Sequence, residues 1–232
     1  MSRIDYTLYL VTDRVRSRGR SNAEIVQEAV AGGVTCVQLR EKICGTREFL
    51  AEARLVLAVL RGTGVPLIIN DRVDVALATG ANGVHVGQQD MPVTAVRRLV
   101  PAEWIVGISV ESVADAVCAE RDGADYIGAS PVFATPTKAD HAPPLGLAGL
   151  RAIRAAVKIP VVAIGGINGE NAGEVIRAGA DGLAVVSDIV AADSPRAAAA
   201  RLCQAIEAGR KSRARQVEQQ DPGHRETPGF LL

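Results

Sequence analysis

The side chains with the clearest chemical character gather in a few short stretches. VFATPTKADH, residues 132–141, leaves an apolar run and sets Thr135 and Thr137 around Pro136, with Lys138 next. Two hydroxyls and an ammonium at the end of a buried run suit a phosphate, whose oxygens accept charge-assisted hydrogen bonds. QLREK, residues 38–42, places Arg40 and Lys42 directly after another apolar run, with Gln38 and Glu41 beside them. Taken alone, Arg-Glu-Lys reads first as a solvated loop with an internal ion pair, and beside the other stretches it fits an anion site. IIND and VHVGQQDMP supply Asn70, Asp71 and Asp90. Two carboxylates and an amide form a hard oxygen set of the kind Mg²⁺ takes while completing its shell with phosphate and water. Asp71 could also cap a helix beginning at Arg72, and Asp90 one after Pro92, and both roles are compatible. His85, inside VHV, reads as a packed or hydrogen-bonded side chain rather than a ligand.

Gly165 and Gly166 in IGGIN and Ser187 in VVSDI complete the set. A glycine pair alone is as well explained by a turn. Beside a hydroxyl and the Thr-Pro-Thr stretch, its exposed amides favour a phosphate. The inventory is then two anion sites. One takes a diphosphate, with Mg²⁺ on Asp71 and Asp90 and with Arg40, Lys42 and Lys138 nearby. The other takes a monophosphate on Thr135, Thr137, Gly166, Ser187 and local amides. No Ser-His-Asp set, nucleophile elbow or Schiff-base lysine is legible. The chemistry implied is the positioning of two phosphorylated molecules and the stabilisation of a departing diphosphate.

These residues need elements that bring them to one place. A weak pattern recurs as AGGVTCVQLR (31–40), TGANGVHVGQ (79–88), DGADYIGAS (122–130) and AGADGLAVVS (178–187). Each passes from glycine and small residues into a short apolar run and ends polar. That sequence of events is a helix stopped by glycine, a buried strand and a loop. Between the repeats lie amphipathic stretches. Residues 21–31 open with Ser21 and Glu24 spaced as a capping box. Residues 46–61 carry an apolar stripe, and 194–207 begin with Ser194-Pro195, a cap and a first-turn proline. TLYLVT, VPLIIN, IVGIS and IPVVAIGG are continuous apolar strands of the type covered on both faces. About eight strands alternating with about eight helices predict a single (β/α)₈ barrel over residues 1–208, with function at the C-terminal strand ends. A doubly wound open sheet is the alternative, weakened because no Gly-x-Gly-x-x-Gly follows the first strand. Residues 209–232 are polar and lack helical apolar spacing, and they read as a disordered tail.

Composition narrows the function classes. The chain has 232 residues, of which 48% are hydrophobic, and a formal net charge of zero. No basic face for nucleic acid or anionic membrane follows from that balance. Cys36, Cys44, Cys118 and Cys203 are scattered without metal-site spacing and read as reduced thiols of a cytoplasmic protein. Neither an export signal nor a membrane span is legible. Self-association is left open.

VQLREK, IINDRVDVALATGANGVHVGQQDMP, GISV, YIGASPVFATPTKAD and VVAIGGI together resemble the thiamine-phosphate synthase (thiamine-phosphate pyrophosphorylase) family, over about residues 6–208. The resemblance implies a transferase that joins 4-amino-2-methyl-5-pyrimidinylmethyl diphosphate to 4-methyl-5-(2-phosphoethyl)thiazole or its carboxylate. It releases diphosphate through a pyrimidinylmethyl cation, so no protein nucleophile is needed. The resemblance also implies that Gln38, Leu39, Arg40, Glu41, Lys42, Asn70, Ser109 and Lys138 meet the pyrimidine diphosphate, with Arg40, Lys42, Ser109 and Lys138 acting in catalysis. Asp71 and Asp90 would hold one Mg²⁺ per subunit. Thr135, Pro136, Thr137, Gly166, Val186 and Ser187 would meet the thiazole phosphate. Ser130 stands where the family often has glycine, and HAPPLGL departs from the usual end of its loop. Two rivals share parts of this reading. A thiazole tautomerase of the same fold would lack most of the diphosphate and metal set. A non-catalytic thiamine-phosphate binding module would bind product without needing metal.

Overall fold

The computed structural model describes residues 4–135 and 143–220, and side chains as far as residue 216. Strands β1 (Leu8–Val11), β2 (Cys36–Leu39), β3 (Leu67–Asn70), β4 (Gly83–Val86), β5 (Ile105–Val110), β6 (Tyr126–Ala129), β7 (Val161–Ile164) and β8 (Gly182–Val185) form one closed parallel barrel in chain order. β8 pairs with β1 through Leu8–Leu183, Tyr9–Ala184 and Leu10–Val185. The barrel expected from the alternating pattern is therefore the observed one, and the open sheet is excluded by that last pairing. Helices α1 (Asn22–Ala31), α2 (Thr46–Leu60), α3 (Val73–Thr79), α4 (Val93–Leu99), α5 (Val113–Arg121), α6 (Gly146–Ala156), α7 (Ala172–Arg177), α8 (Ser187–Val190) and α9 (Pro195–Gln220) surround it.

The strands are short and apolar because both faces are covered. Alternate residues, such as Leu8, Leu10, Val37 and Leu39, point outward into the layer shared with the helices. The others point into the barrel, where Tyr6, Tyr9, Cys36, Ile68, Tyr126, Val162 and Ala184 pack together. The chain has only three tyrosines, and all of them lie in this interior. Tyr6 and Tyr126 have ring centroids 4.6 Å apart, and Tyr9 and Tyr126 are 5.9 Å apart. Gly107 makes room for them, since a Cβ there would lie 2.2 Å from the Tyr126 ring.

α1 begins with the capping box foreseen from its sequence: Ser21 Oγ accepts the Glu24 N–H, and the Glu24 carboxylate accepts the Ser21 N–H. The polar segment from residue 209 departs from expectation. Its first twelve residues continue α9 rather than leaving it, so the boundary drawn at 208 falls inside a helix. The reason lies outside the local pattern. Gly209 packs so closely on Gly173 of α7 that a Cβ would come 2.8 Å from the Gly173 carbonyl. Arg210 donates to Thr7 Oγ1 at 2.8 Å and to the Asp181 carbonyl at 3.0 Å. Lys211 pairs with Glu207 one turn back. Residues 221–232 lie outside the described residues.

Candidate active site

The C-terminal ends of the strands enclose a cavity of about 420 Å³. Its walls follow from strand alternation. Gln38, Arg40 and Lys42 reach it from β2 and the loop beyond. The side chains of Leu39 and Glu41, expected with them at the substrate, face the other way. Leu39 belongs to the outer apolar layer. The Glu41 carboxylate, 1% exposed, is held by Arg14 at 3.2 Å and by the Asn22 amide at 2.7 Å. Glu41 thereby anchors the loop that presents its neighbours. Of the two readings of QLREK, the internal Glu41–Arg40–Lys42 ion pair is absent among the described residues. Arg40 instead reaches Asp13 at 3.4 Å, and its N–H is fixed by Thr12 Oγ1 at 3.0 Å.

Asn70 and Asp71 come from the end of β3. Asn70 is buried beside the cavity, and its side-chain amide nitrogen has no hydrogen-bond partner. A buried unsatisfied donor costs about 1–3 kcal/mol. Asp71 has φ +59°, a left-handed conformation that few residues other than glycine adopt. Its N–H donates to the His85 carbonyl at 2.8 Å. This geometry aims the carboxylate at the loop after β4, where Asp90 lies, and at Lys42, whose Nζ is 2.5 Å away. Neither α3 nor α4 has a side-chain cap, so Asp71 and Asp90 are not spent on helix termini. Asp90 accepts the Gly87 N–H at 2.8 Å. Its carboxyl is pushed above the ordinary range, first by partial burial and then by the Asp71 carboxylate beside it, against the pull of the Gly87 N–H. Two crowded carboxylates on facing loops are a donor set that fits one divalent cation. Among the described residues no group of three or more His, Cys, Asp or Glu side chains is gathered for a metal. A two-carboxylate set matches Mg²⁺, which leaves most positions to phosphate and water.

β5 presents Ser109, whose Oγ lies 2.9 Å from His85 Nε2. His85 is hydrogen bonded on both nitrogens, Nδ1 being 2.8 Å from Tyr126 Oη, as the reading of a packed histidine required. On the opposite wall, Thr135, Gly166, Val186 and Ser187 line the same cavity. Gly165 and Gly166 have φ +103° and +66°, and a Cβ on either would press on residues 131–134 at 2.6–2.8 Å. Val132 and Phe133 donate to the carbonyls of Ile164 and Gly165. The glycine pair therefore clamps the loop carrying Thr135 against β7. Pro136, Thr137 and Lys138 lie outside the described residues.

Several cavity residues escaped the sequence reading, among them Tyr9, Gln88, Glu111 and Tyr126. Gln88 donates to the Ser109 carbonyl at 2.7 Å and ties two loops together. Inward alternation within TLYLVT was the signal available for Tyr9. For Gln88 there was none, since it sits in a loop.

Fold and cavity together define a (β/α)₈-barrel protein with a small-molecule site at the barrel mouth, where cationic side chains, paired carboxylates and loop glycines converge. The chain belongs to the thiamine monophosphate synthase family, whose model matches residues 8–189. It is 58% identical over 201 residues to the thiamine-phosphate synthase of Albidiferax ferrireducens, covering 87% of this chain and 92% of that one. It is 56% identical over 199 residues to that of Chloroflexus aurantiacus, covering 86% and 92%. The solved thiamine phosphate pyrophosphorylase from Pyrococcus furiosus superposes with a TM-score of 0.81 at 42% identity, covering 89% of this chain and 98% of that one. A 3-hexulose-6-phosphate synthase shares the fold at 20% identity with a TM-score of 0.63.

Proposed function

We propose that this chain is a thiamine-phosphate synthase, a transferase of thiamine biosynthesis that joins a pyrimidinylmethyl diphosphate to a thiazole phosphate. The observation that carries the reading is the convergence of Arg40, Lys42, Asn70, Asp71 and Asp90 on one wall of the cavity, opposite Thr135, Gly166 and Ser187. A tautomerase has no use for the first wall, and a binding module has no use for its carboxylates.

The first wall receives the diphosphate. Lys42 is half exposed and rests on Asp71, so an arriving diphosphate can draw the ammonium onto its own oxygens and free the carboxylate. Asp71 and Asp90 would then hold Mg²⁺, which supplies charge neutralisation to the leaving diphosphate. Arg40, positioned by Thr12 and Asp13, adds a second cation. Asn70 gives its unpaired N–H to the pyrimidine diphosphate, and Ser109 faces the same substrate. The second wall holds the thiazole phosphate on Thr135, Pro136, Thr137, the amides near Gly166 and the Val186–Ser187 turn, while Lys138 serves the departing diphosphate. The two walls bring the thiazole nitrogen to the carbon that the diphosphate leaves. Substitution then proceeds dissociatively, and the wall of apolar side chains and tyrosines keeps water from the cationic fragment.

The test is to mix the purified chain with both phosphorylated precursors, with Mg²⁺ or with EDTA, and to follow thiamine phosphate and diphosphate together. Equimolar, Mg²⁺-dependent appearance of both is expected. Thiazole-phosphate binding without turnover in a folded sample would reject the synthase reading.

A further inference from the structure

Beneath the cavity, five side chains form an unbroken hydrogen-bonded series through the barrel interior. Gln38 Nε2 donates to Tyr9 Oη at 3.1 Å. Tyr9 Oη and Tyr126 Oη are 2.9 Å apart. Tyr126 Oη is 2.8 Å from His85 Nδ1, and His85 Nε2 is 2.9 Å from Ser109 Oγ. Tyr9 and Tyr126 are 1% exposed and His85 7% exposed, so solvent does not compete for these bonds.

One end of this series has a fixed polarity, because the amide nitrogen of Gln38 can only donate. Tyr9 accepts from it and must place its own proton. The neighbouring Cys36 sulfur is a weak acceptor. Among the described residues, the oxygen acceptor within reach is Tyr126. Tyr126, accepting from Tyr9, places its proton on His85 Nδ1. That imidazole nitrogen is then the acceptor, and Nε2 carries the hydrogen and donates to Ser109. Both phenols are kept protonated, since burial, the dominant cause, pushes each well above the ordinary tyrosine range.

We propose that Gln38, Tyr9, Tyr126 and His85 form a one-way hydrogen-bond relay that fixes His85 as the Nε2–H tautomer and so turns the Ser109 hydroxyl into a donor toward the cavity. In this relay Tyr9, Tyr126 and His85 are positioning residues, because their hydrogen bonds reach the substrate through Ser109. In the reverse polarity, Ser109 would spend its proton on His85 and offer the substrate lone pairs alone. A negatively charged diphosphate is served by the first arrangement and repelled by the second. The proposal rests on the synthase reading for what Ser109 meets, but the polarity of the relay stands on the geometry alone.

The full chain labelled with ¹⁵N-histidine gives a direct readout, through long-range ¹H–¹⁵N correlations of the imidazole. His85→Gln identifies the His85 signals among those of the three histidines. A Nε2–H tautomer near neutral pH is expected, and a Nδ1–H tautomer would overturn the relay. A kinetic cycle gives the second readout. Tyr126→Phe should lower kcat about three- to tenfold, the value of one or two hydrogen bonds, with little change in KM for the thiazole phosphate. In a Ser109→Ala background the same change should cost about twofold or less, because the group it positions is gone. Equal losses in both backgrounds would overturn the proposal. Absence of turnover in the wild-type chain alongside the Nε2–H tautomer would reject the synthase reading and support the relay.

Discussion

Asp90 carries the sharpest consequence at the scale of single residues. Its carboxyl is raised in the fold, chiefly by desolvation and then by Asp71, so its charged form is disfavoured there. A carboxyl raised on folding favours the folded state below its unfolded pKa and loses that contribution as pH rises through the folded pKa. At neutral pH the charge therefore works against the metal-free fold. Asp90→Asn keeps the acceptor for the Gly87 N–H while removing the charge. It should raise Tm in EDTA yet abolish most of the Tm gain that Mg²⁺ and diphosphate give the wild-type protein, with kcat lowered by about a hundredfold or more. A Tm unchanged in EDTA and an undiminished Mg²⁺ response would remove the metal assignment. The cysteines give a simpler check. Cys118 is exposed, whereas Cys36 is buried among the tyrosines with its thiol pushed well up by burial. In native buffer a thiol reagent should modify Cys118 quickly and Cys36 only after denaturation.

At the scale of elements, the capping box and the glycine clamp make separable predictions. Ser21→Ala removes the side-chain acceptor for the Glu24 N–H and should lower stability by about 1 kcal/mol. The Glu24 carboxyl is held below the ordinary range, first by the Ser21 N–H and then by the Ser21 hydroxyl. A depressed carboxyl stabilises the fold above its unfolded pKa and loses that contribution as pH falls through its folded pKa. The Glu24→Gln variant should therefore differ most from wild type near neutrality and converge with it in acid, as chemical denaturation at several pH values would show. Gly166→Ala forces a Cβ onto the Ala134 carbonyl and the Phe133 side chain and must shift the loop bearing Thr135. KM for the thiazole phosphate should rise about ten- to a hundredfold with a much smaller change for the diphosphate substrate. The elements themselves were largely readable, because buried parallel strands and capped helices each leave a local signature, as VPLIIN and Ser21-x-x-Glu24 did. The site was readable only to the level of composition. Gln38, Arg40 and Lys42 could be told from Leu39 and Glu41 once the inward phase of β2 was known, and QLREK alone does not set that phase. Asn22 and Arg14, which turn Glu41 away from the cavity, come from other parts of the chain. The Tyr9–Tyr126 contact joins residues 117 apart in sequence.

At the scale of the whole molecule, residues 209–220 are helical without a local apolar pattern for the same reason, since this part of α9 is held by tertiary contacts on Gly173, Thr7 and Asp181. The bond from Arg210 to Thr7 spans 203 residues and lies beside the seam where β1 meets β8. That arrangement makes the last helix a latch for the first strand. On the ribosome, β1 leaves early and has only β2 as a neighbour until β8 and then α9 follow. Most of the barrel must therefore wait, with one edge unpaired, for β8. A nascent chain stalled before Gly182 exposes that edge of β1, the surface on which chaperones and proteases act, so the closing strand decides when the whole barrel passes quality control.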